Sequence, residues 1–173
     1  MYNYPIHRRK SRRLNGYDYA KEGLYFITIK TQNNRKLFGE ITNGIMTLND
    51  SGSTAKNCWL AIPEHFPHAD IHDFVIMPDH VHGIIEIIYN PNSVGAENFL
   101  PLRDSKTNNP SSCKTIGSII RGFKTGVTKW MRLHTDINEV WQRNYHDRII
   151  RDTESYERIS EYIRNNPKNW KGG

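Results

Sequence analysis

The segment from Ala69 to Ile88 constrains the fold more than any other part of the chain. It reads Ala69-Asp-Ile-His-Asp-Phe-Val-Ile-Met77, then Pro78-Asp79, then His80-Val-His-Gly-Ile-Ile-Glu-Ile-Ile88. Two runs rich in β-branched and aromatic residues, separated by a Pro-Asp pair, predict two strands joined by a tight turn. Side chains alternate across a strand, so His80, His82, Ile84 and Glu86 share one face of the second run. Val81, Gly83, Ile85 and Ile87 share the other. Any fold the chain adopts must accommodate this strand pair and must place both imidazoles on one side of it.

The remaining elements follow from the same local reasoning. Leu24-Tyr-Phe-Ile-Thr-Ile-Lys-Thr31 predicts a first strand, and the turn signal Gln32-Asn-Asn-Arg35 precedes a second strand pair over Leu37–Ile41 and Ile45–Leu48. Asp50 or Ser51 is positioned to cap a helix running to about His65, with Ala55, Cys58, Trp59 and Ile62 on one face. Pro63 should bend that helix near its end. From Lys114 to about Leu133, Ile116, Ile119, Ile120, Phe123, Val127 and Trp130 fall on one helical stripe. Lys114, Arg121, Lys124 and Arg132 lie away from it, a basic face that suits phosphates and equally suits plain solvent. Trp141 to Ile150 predicts a loop plus a strand. Asp152 then caps a last helix with Glu154 in its first turn and Tyr156, Ile159 and Ile163 as its buried stripe. Pro167 should stop it at Asn165 or Asn166.

The rest of the chain reads as connection. Residues 1–20 form a basic arm that includes Arg8, Arg9, Lys10, Arg12 and Arg13. Residues 21–173 form a single domain, interrupted by a loop or linker over about 89–112 that contains Pro91, Pro101 and Pro110. The length of 173 residues suffices for one hydrophobic core. Lys and Arg outnumber Asp and Glu 24 to 18, for a net charge of +6, which favours a polyanionic partner. No apolar run approaches the roughly 20 residues that span a bilayer, and the basic start is not followed by the apolar stretch of a secretory signal. Cys58 and Cys113 are too few for a disulfide framework or a cysteine zinc site. Composition therefore excludes a membrane protein, a secreted miniprotein and a zinc finger, and it leaves a small basic cytoplasmic protein.

His80 and His82 project from one strand face, so both imidazoles can meet one cation; packing alone also produces so short a pattern. Hydrolases with His-x-His-x-Asp-His or His-x-His-x-His would need further ligands where this chain has Gly83, Ile84 and Ile85. Tyr162 and Asn166 are four apart and hence neighbours on one helical face, at the flank of the apolar stripe. The carboxamide of Asn166 can complete a metal site with the two histidines. Such neutral ligands should hold Mg²⁺ or Mn²⁺ loosely, with water and substrate phosphate filling the shell.

Taken in order, seven segments resemble the REP-associated tyrosine transposases, a branch of the HUH single-tyrosine (IS200-like) transposase superfamily. They begin with Leu24-Tyr-Phe-Ile-Thr-Ile-Lys-Thr31 with Leu37-Phe-Gly-Glu-Ile41, Phe74-Val-Ile-Met-Pro-Asp-His-Val-His-Gly83 and Ile119-Ile-Arg-Gly-Phe-Lys124. They continue with Trp141-Gln-Arg-Asn-Tyr145, Ile149-Ile-Arg151 and Tyr162-Ile-Arg-Asn-Asn-Pro167. Arg148 departs from the pattern, since similar sequences often have histidine there.

The resemblance implies an α+β, ferredoxin-like (RRM-like) antiparallel sheet of the HUH endonuclease type, with helices packed on one face and the histidine pair on a central strand. It implies Tyr162 as nucleophile, and His80, His82 and Asn166 as ligands of a divalent metal. The implied activity is single-stranded DNA nicking and strand transfer through a 5′-phosphotyrosine, at hairpin or palindromic repeat DNA near the nucleoid. The arm residues, Arg121 and Lys124 would then hold the phosphates. Trp130, Trp141 and Tyr145 are candidates for stacking on unpaired bases, though each also suits a core. Monomer and homodimer both remain open. The contrasting expectation is a non-catalytic ferredoxin-like domain that binds hairpin DNA or RNA, a domesticated relic whose histidines are structural.

Overall fold

A computed structural model describes residues 21–88 and 115–171. The basic arm with Arg8, Arg9, Lys10, Arg12 and Arg13, the linker expected over 89–112, and Cys113 lie outside the described residues.

The first strand, β1 (Gly23–Lys30), buries Tyr25, Ile27 and Ile29 on one side and carries Leu24, Phe26 and Thr28 on the other. Because it is apolar on both faces, a sheet built around it must be covered on both. A hairpin follows, β2 (Gly39–Thr42) and β3 (Ile45–Leu48), whose Asn43-Gly44 turn has φ of 52° and 76°. Positive φ at both turn positions matches the right-handed twist of the flanking strands and favours this residue pair. Helix α1 (Asp50–Leu60) is capped by Asn49, whose side chain accepts from the Gly52 N–H at 2.9 Å. The expected cap was Asp50 or Ser51; three adjacent polar residues all have capping chemistry, and the entry angle of the chain selects the first. The expected continuous helix breaks at Ala61, and a short α2 (Ile62–His65) restarts with Pro63 in its first turn. Proline's fixed φ and missing N–H suit a helix start, which places the break before it.

Strands β4 (Ala69–Ile76) and β5 (His80–Ile87), helix α3 (Ile116–His134), strand β6 (His146–Ile150) and helix α4 (Thr153–Asn165) complete the described elements. Four strands form one sheet in the order β4-β5-β1-β6, with every neighbouring pair antiparallel. With the β2–β3 hairpin set aside as an insertion, the order β1-α1-β4-β5-α3-β6 is the ferredoxin-like α+β arrangement, and β5 is central as expected. Tyr25, Ile27, Ile29, Val81, Ile85 and Ile87 pack beneath α1 and α3, through Trp59, Phe123 and Val127 among others.

The expectation that the helices share one face is corrected by the second apolar cluster. Ile84 of β5 and Ile150 of β6 pack with Ile159 and Ile163 of α4, flanked by Leu24, Phe26 and Val75. Helix α4 therefore covers the opposite face, the one that carries His80 and His82. The physical cause is the second apolar surface of β1 and β5, which would otherwise meet water, and the amphipathic stripe of α4 that matches it. Among the described residues, no helix is long and apolar enough to cross a membrane.

Candidate active site

The site is built on the turn that opens β5. Pro78 O accepts from the Leu37 and Phe38 N–H groups at 2.8 and 3.1 Å, and Asp79 O accepts from the Thr31 N–H and hydroxyl at 2.8 and 2.9 Å. These bonds tie residues 78–79 to the segment leaving β1, so the two histidines begin from a fixed point. Registered against β1, His80 lies opposite Lys30 and His82 opposite Thr28. Both imidazoles are buried, at 8% and 7% exposure, with ring centroids 4.5 Å apart.

Each ring has its Nδ1 engaged by a protein oxygen. His80 Nδ1 lies 2.5 Å from Asp79 Oδ1, and His82 Nδ1 lies 2.9 Å from the Thr28 hydroxyl. His80 Nε2 is buried without a hydrogen-bond partner. Phe26 stacks on the His82 ring at 5.3 Å. Burial, reinforced by the neighbouring His80, pushes the His82 pKa down to about 3, so this imidazole is neutral near pH 7 and retains a lone pair.

Helix α4 supplies the hydroxyl. Asp152 caps it as expected, its carboxylate accepting from the Ser155 N–H at 2.7 Å, and Ile159 and Ile163 seat it on the sheet. Tyr162 lies beside that stripe, so its ring crosses His82 at a 5.3 Å centroid distance while its hydroxyl stays 3.3 Å from His82 Nε2. It remains 48% exposed, which leaves the phenol open to a large substrate. Asn166 closes the helix as its C-terminal cap and is buried one turn beyond Tyr162. Two polar links also join α4 to the sheet. Tyr156 OH lies 3.2 Å from His72 Nδ1, whose Nε2 lies 2.8 Å from Glu86, and Arg164 donates to Asp73 at 3.2 Å.

Several neighbours of the site were not singled out in the sequence. Asp79 reads there as a turn residue, and only its place immediately before the histidine pair hints at a second role. Thr28 reads as an ordinary strand residue. Trp170 follows the proline that ends α4, where no periodicity applies, yet its ring lies 5.7 Å from that of His80.

The two histidines suit a weakly held divalent ion: His80 has a buried ring nitrogen without a hydrogen-bond partner, and the His82 ring lies 4.5 Å away. Among the described residues, no group of three or more His, Cys, Asp or Glu side chains is placed to hold a metal, so a third protein ligand beside the two histidines would have to be of another residue type.

The predicted phosphate-binding residues of α3 are not brought to this site. Helix α3 packs on the opposite face of the sheet, with Arg121 exposed to solvent. Lys124 donates to Gln142 O at 2.8 Å and Asn144 O at 3.1 Å, and burial pushes its pKa down to about 8. Trp130, Trp141 and Tyr145 all pack against the larger core.

No family model matches the chain. An uncharacterized protein of Haemophilus influenzae is 52% identical over 171 residues, covering 98% of this chain and 93% of that protein. A second Haemophilus influenzae protein, named provisionally as a REP-associated tyrosine transposase, is 26% identical over 87% of this chain and 73% of its own length. Among solved structures, a REP-associated tyrosine transposase bound to a REP hairpin superposes with a TM-score of 0.61 at 20% identity, covering 93% of this chain and 73% of that one. The chain belongs to one family with the Haemophilus influenzae protein that shares 52% of its residues, and it resembles the REP-associated tyrosine transposases in both sequence and fold.

Proposed function

We propose that this protein nicks single-stranded DNA and transfers the strand through a 5′-phosphotyrosine on Tyr162, with Mg²⁺ or Mn²⁺ held by His80, His82 and Asn166. The observation that carries the reading is the half-exposed Tyr162 hydroxyl, 3.3 Å from His82 Nε2 and reaching the imidazole pair from a different element. A structural tyrosine of an amphipathic helix would turn its hydroxyl to solvent or to a backbone carbonyl. Here it meets the face of the sheet that carries the two buried imidazoles.

A phosphodiester resists attack because its charge repels nucleophiles and its alkoxide leaves poorly. His80, His82 and Asn166 would hold the divalent ion, whose charge would serve to polarise a nonbridging oxygen of the phosphate. Tyr162 Oη forms the new bond to phosphorus as the bond to the 3′ oxygen breaks; the phenolic proton passes to solvent, and the departing 3′ oxygen takes up a proton to leave as a hydroxyl. The products are a 5′-phosphotyrosine and a free 3′-hydroxyl. The covalent link conserves the energy of the broken bond, so the 3′-hydroxyl of another strand can reverse the step, which suits strand transfer better than hydrolysis. A single tyrosine handles one strand at a time. The net charge of +6 and the likeness to a transposase solved with a REP hairpin support hairpin DNA as the substrate, and hence a place near the nucleoid.

The test is incubation with a pool of labelled single-stranded hairpins and Mg²⁺ or Mn²⁺, followed by a denaturing gel. A band that survives denaturation, is lost with EDTA and is absent in Tyr162→Phe is the expected result. An adduct that persists in Tyr162→Phe would overturn the assignment of the nucleophile. Hairpin binding without any adduct, unchanged in Tyr162→Phe and His80→Ala, would favour the non-catalytic binding domain instead.

A further inference from the structure

We propose that Asp79 is the positioning residue of His80, holding that ring so that Nε2 is the nitrogen offered to the divalent ion; this rests on the metal role proposed above. An imidazole that offers one nitrogen to a metal ion keeps its N–H on the other, and a carboxylate oxygen is an acceptor for that N–H. The nitrogen 2.5 Å from Asp79 Oδ1 therefore carries the hydrogen, and Nε2 carries the lone pair. That atom is buried and has no hydrogen-bond partner. An orphaned buried polar atom in an otherwise satisfied site calls for an explanation, and a bound ion is a standard one.

The direction of control follows from what is held more firmly. The carbonyl of Asp79 accepts two hydrogen bonds from fully buried Thr31, and the preceding Pro78 carbonyl accepts two more from Leu37 and Phe38. With its backbone tied down in this way, the carboxylate sets the ring rather than following it. The Trp170 ring, with its centroid 5.7 Å from that of His80, adds a bulky neighbour against which the ring would have to turn. His82 differs in kind. Its Nδ1 partner is the Thr28 hydroxyl, which can donate or accept, so Thr28 orients the ring without dictating which nitrogen is protonated. Of the two histidines, only His80 is locked into a single tautomer by its partner.

Two measurements on DNA-free protein test this without reference to cleavage. Long-range ¹H–¹⁵N correlation spectra should show His80 as the Nδ1–H tautomer in the wild type. Titration with Mn²⁺ should broaden the His80 and His82 ring resonances. Asp79→Ala should weaken Mn²⁺ binding roughly ten- to hundredfold, while Asp79→Asn, which keeps an acceptor oxygen for Nδ1–H, should recover most of that loss. Should Asp79→Ala not fold, the wild-type tautomer and the Asp79→Asn titration still decide the matter. An Nε2–H tautomer for His80, or unchanged Mn²⁺ affinity in folded Asp79→Ala, would overturn the assignment. If the wild type forms a phosphotyrosine while folded Asp79→Ala binds Mn²⁺ as tightly, Asp79 has no positioning role and the function reading stands. If the tautomer and Mn²⁺ results hold but no phosphotyrosine forms, the reverse is true. Mn²⁺ that broadens neither ring in the wild type would overturn both.

Discussion

Gly83 sits between His82 and Ile84 on β5, and replacing it with alanine probes how closely the sheet is packed behind the site. A Cβ added there would lie 2.3 Å from Trp59 Cζ2, 3.0 Å from Trp59 Cε2 and 3.0 Å from Phe74 Cβ. Trp59 cannot swing away. It is fully buried, with Phe74 and Phe123 rings at centroid distances of 6.0 and 5.2 Å. Restoring ordinary contact would require the ring or the strand to move by about 1 Å in a core packed as densely as a crystal. Overpacking of this kind costs about 1–3 kcal/mol. Gly83 does not have positive φ, so alanine fits its backbone and returns about 0.4–1 kcal/mol through the unfolded state. The net expectation is a loss of about 1–2 kcal/mol, a Tm lower by roughly 2–8 °C for a domain of this size. Urea unfolding of Gly83→Ala, Trp59→Leu and the double variant measures it. The alanine should cost little or nothing once the indole is gone. A Gly83→Ala protein as stable as wild type, or one that pays the same penalty in the Trp59→Leu background, would refute the packing argument.

Other predictions concern individual groups. His82 has a folded pKa near 3 against an unfolded value of about 6.5, so between these the unfolded chain binds a proton that the folded chain refuses. Stability should therefore fall on acidification from about pH 6.5 toward 3, by up to about 1.4 kcal/mol per pH unit from this group. Denaturant unfolding at several pH values should give a shallower dependence for His82→Asn, and parallel curves would exclude the effect. Lys124→Met removes the two hydrogen bonds to Gln142 and Asn144 carbonyls and should cost roughly 1–3 kcal/mol. It should also speed hydrogen exchange at the Gln142 amide, which donates to Lys30 O at 3.0 Å. Ile163→Ala, at a position 1% exposed in the small cluster beneath α4, should cost about 2–5 kcal/mol. It should slow phosphotyrosine formation more than it weakens Mn²⁺ binding, since Tyr162 rides on that helix whereas two of the three proposed ligands, His80 and His82, do not.

Strands and helices were legible because their signals are local. Period-two alternation in His80–Ile87 placed both histidines on one face, which holds in the structure, and the 3.6-residue period put Asn166 one turn beyond Tyr162, where it caps the helix. Boundaries moved where equivalent residues compete, as at Asn49-Asp50-Ser51, where each side chain can cap and the path of the chain chooses. Lys124 reads as part of a solvated basic face because nothing in α3 itself announces that the carbonyls of Gln142 and Asn144 come to meet it.

Sequence by itself determined the strand pair around Pro78-Asp79, the shared face of the imidazoles, the amphipathic stripe of α4 and the basic charge balance. Each is a property of a short stretch of backbone with a fixed geometric period. Only the tertiary structure decided that α4 crosses the histidine face rather than joining α1 and α3, that Tyr162 meets His82, and that Asp79 and Thr31 hold the turn beneath them. The partners in these contacts are separated by 48 to 80 residues along the chain. Which partner a surface receives depends on the burial of both apolar faces of β1 and β5 at once, a condition that no single segment of the chain contains.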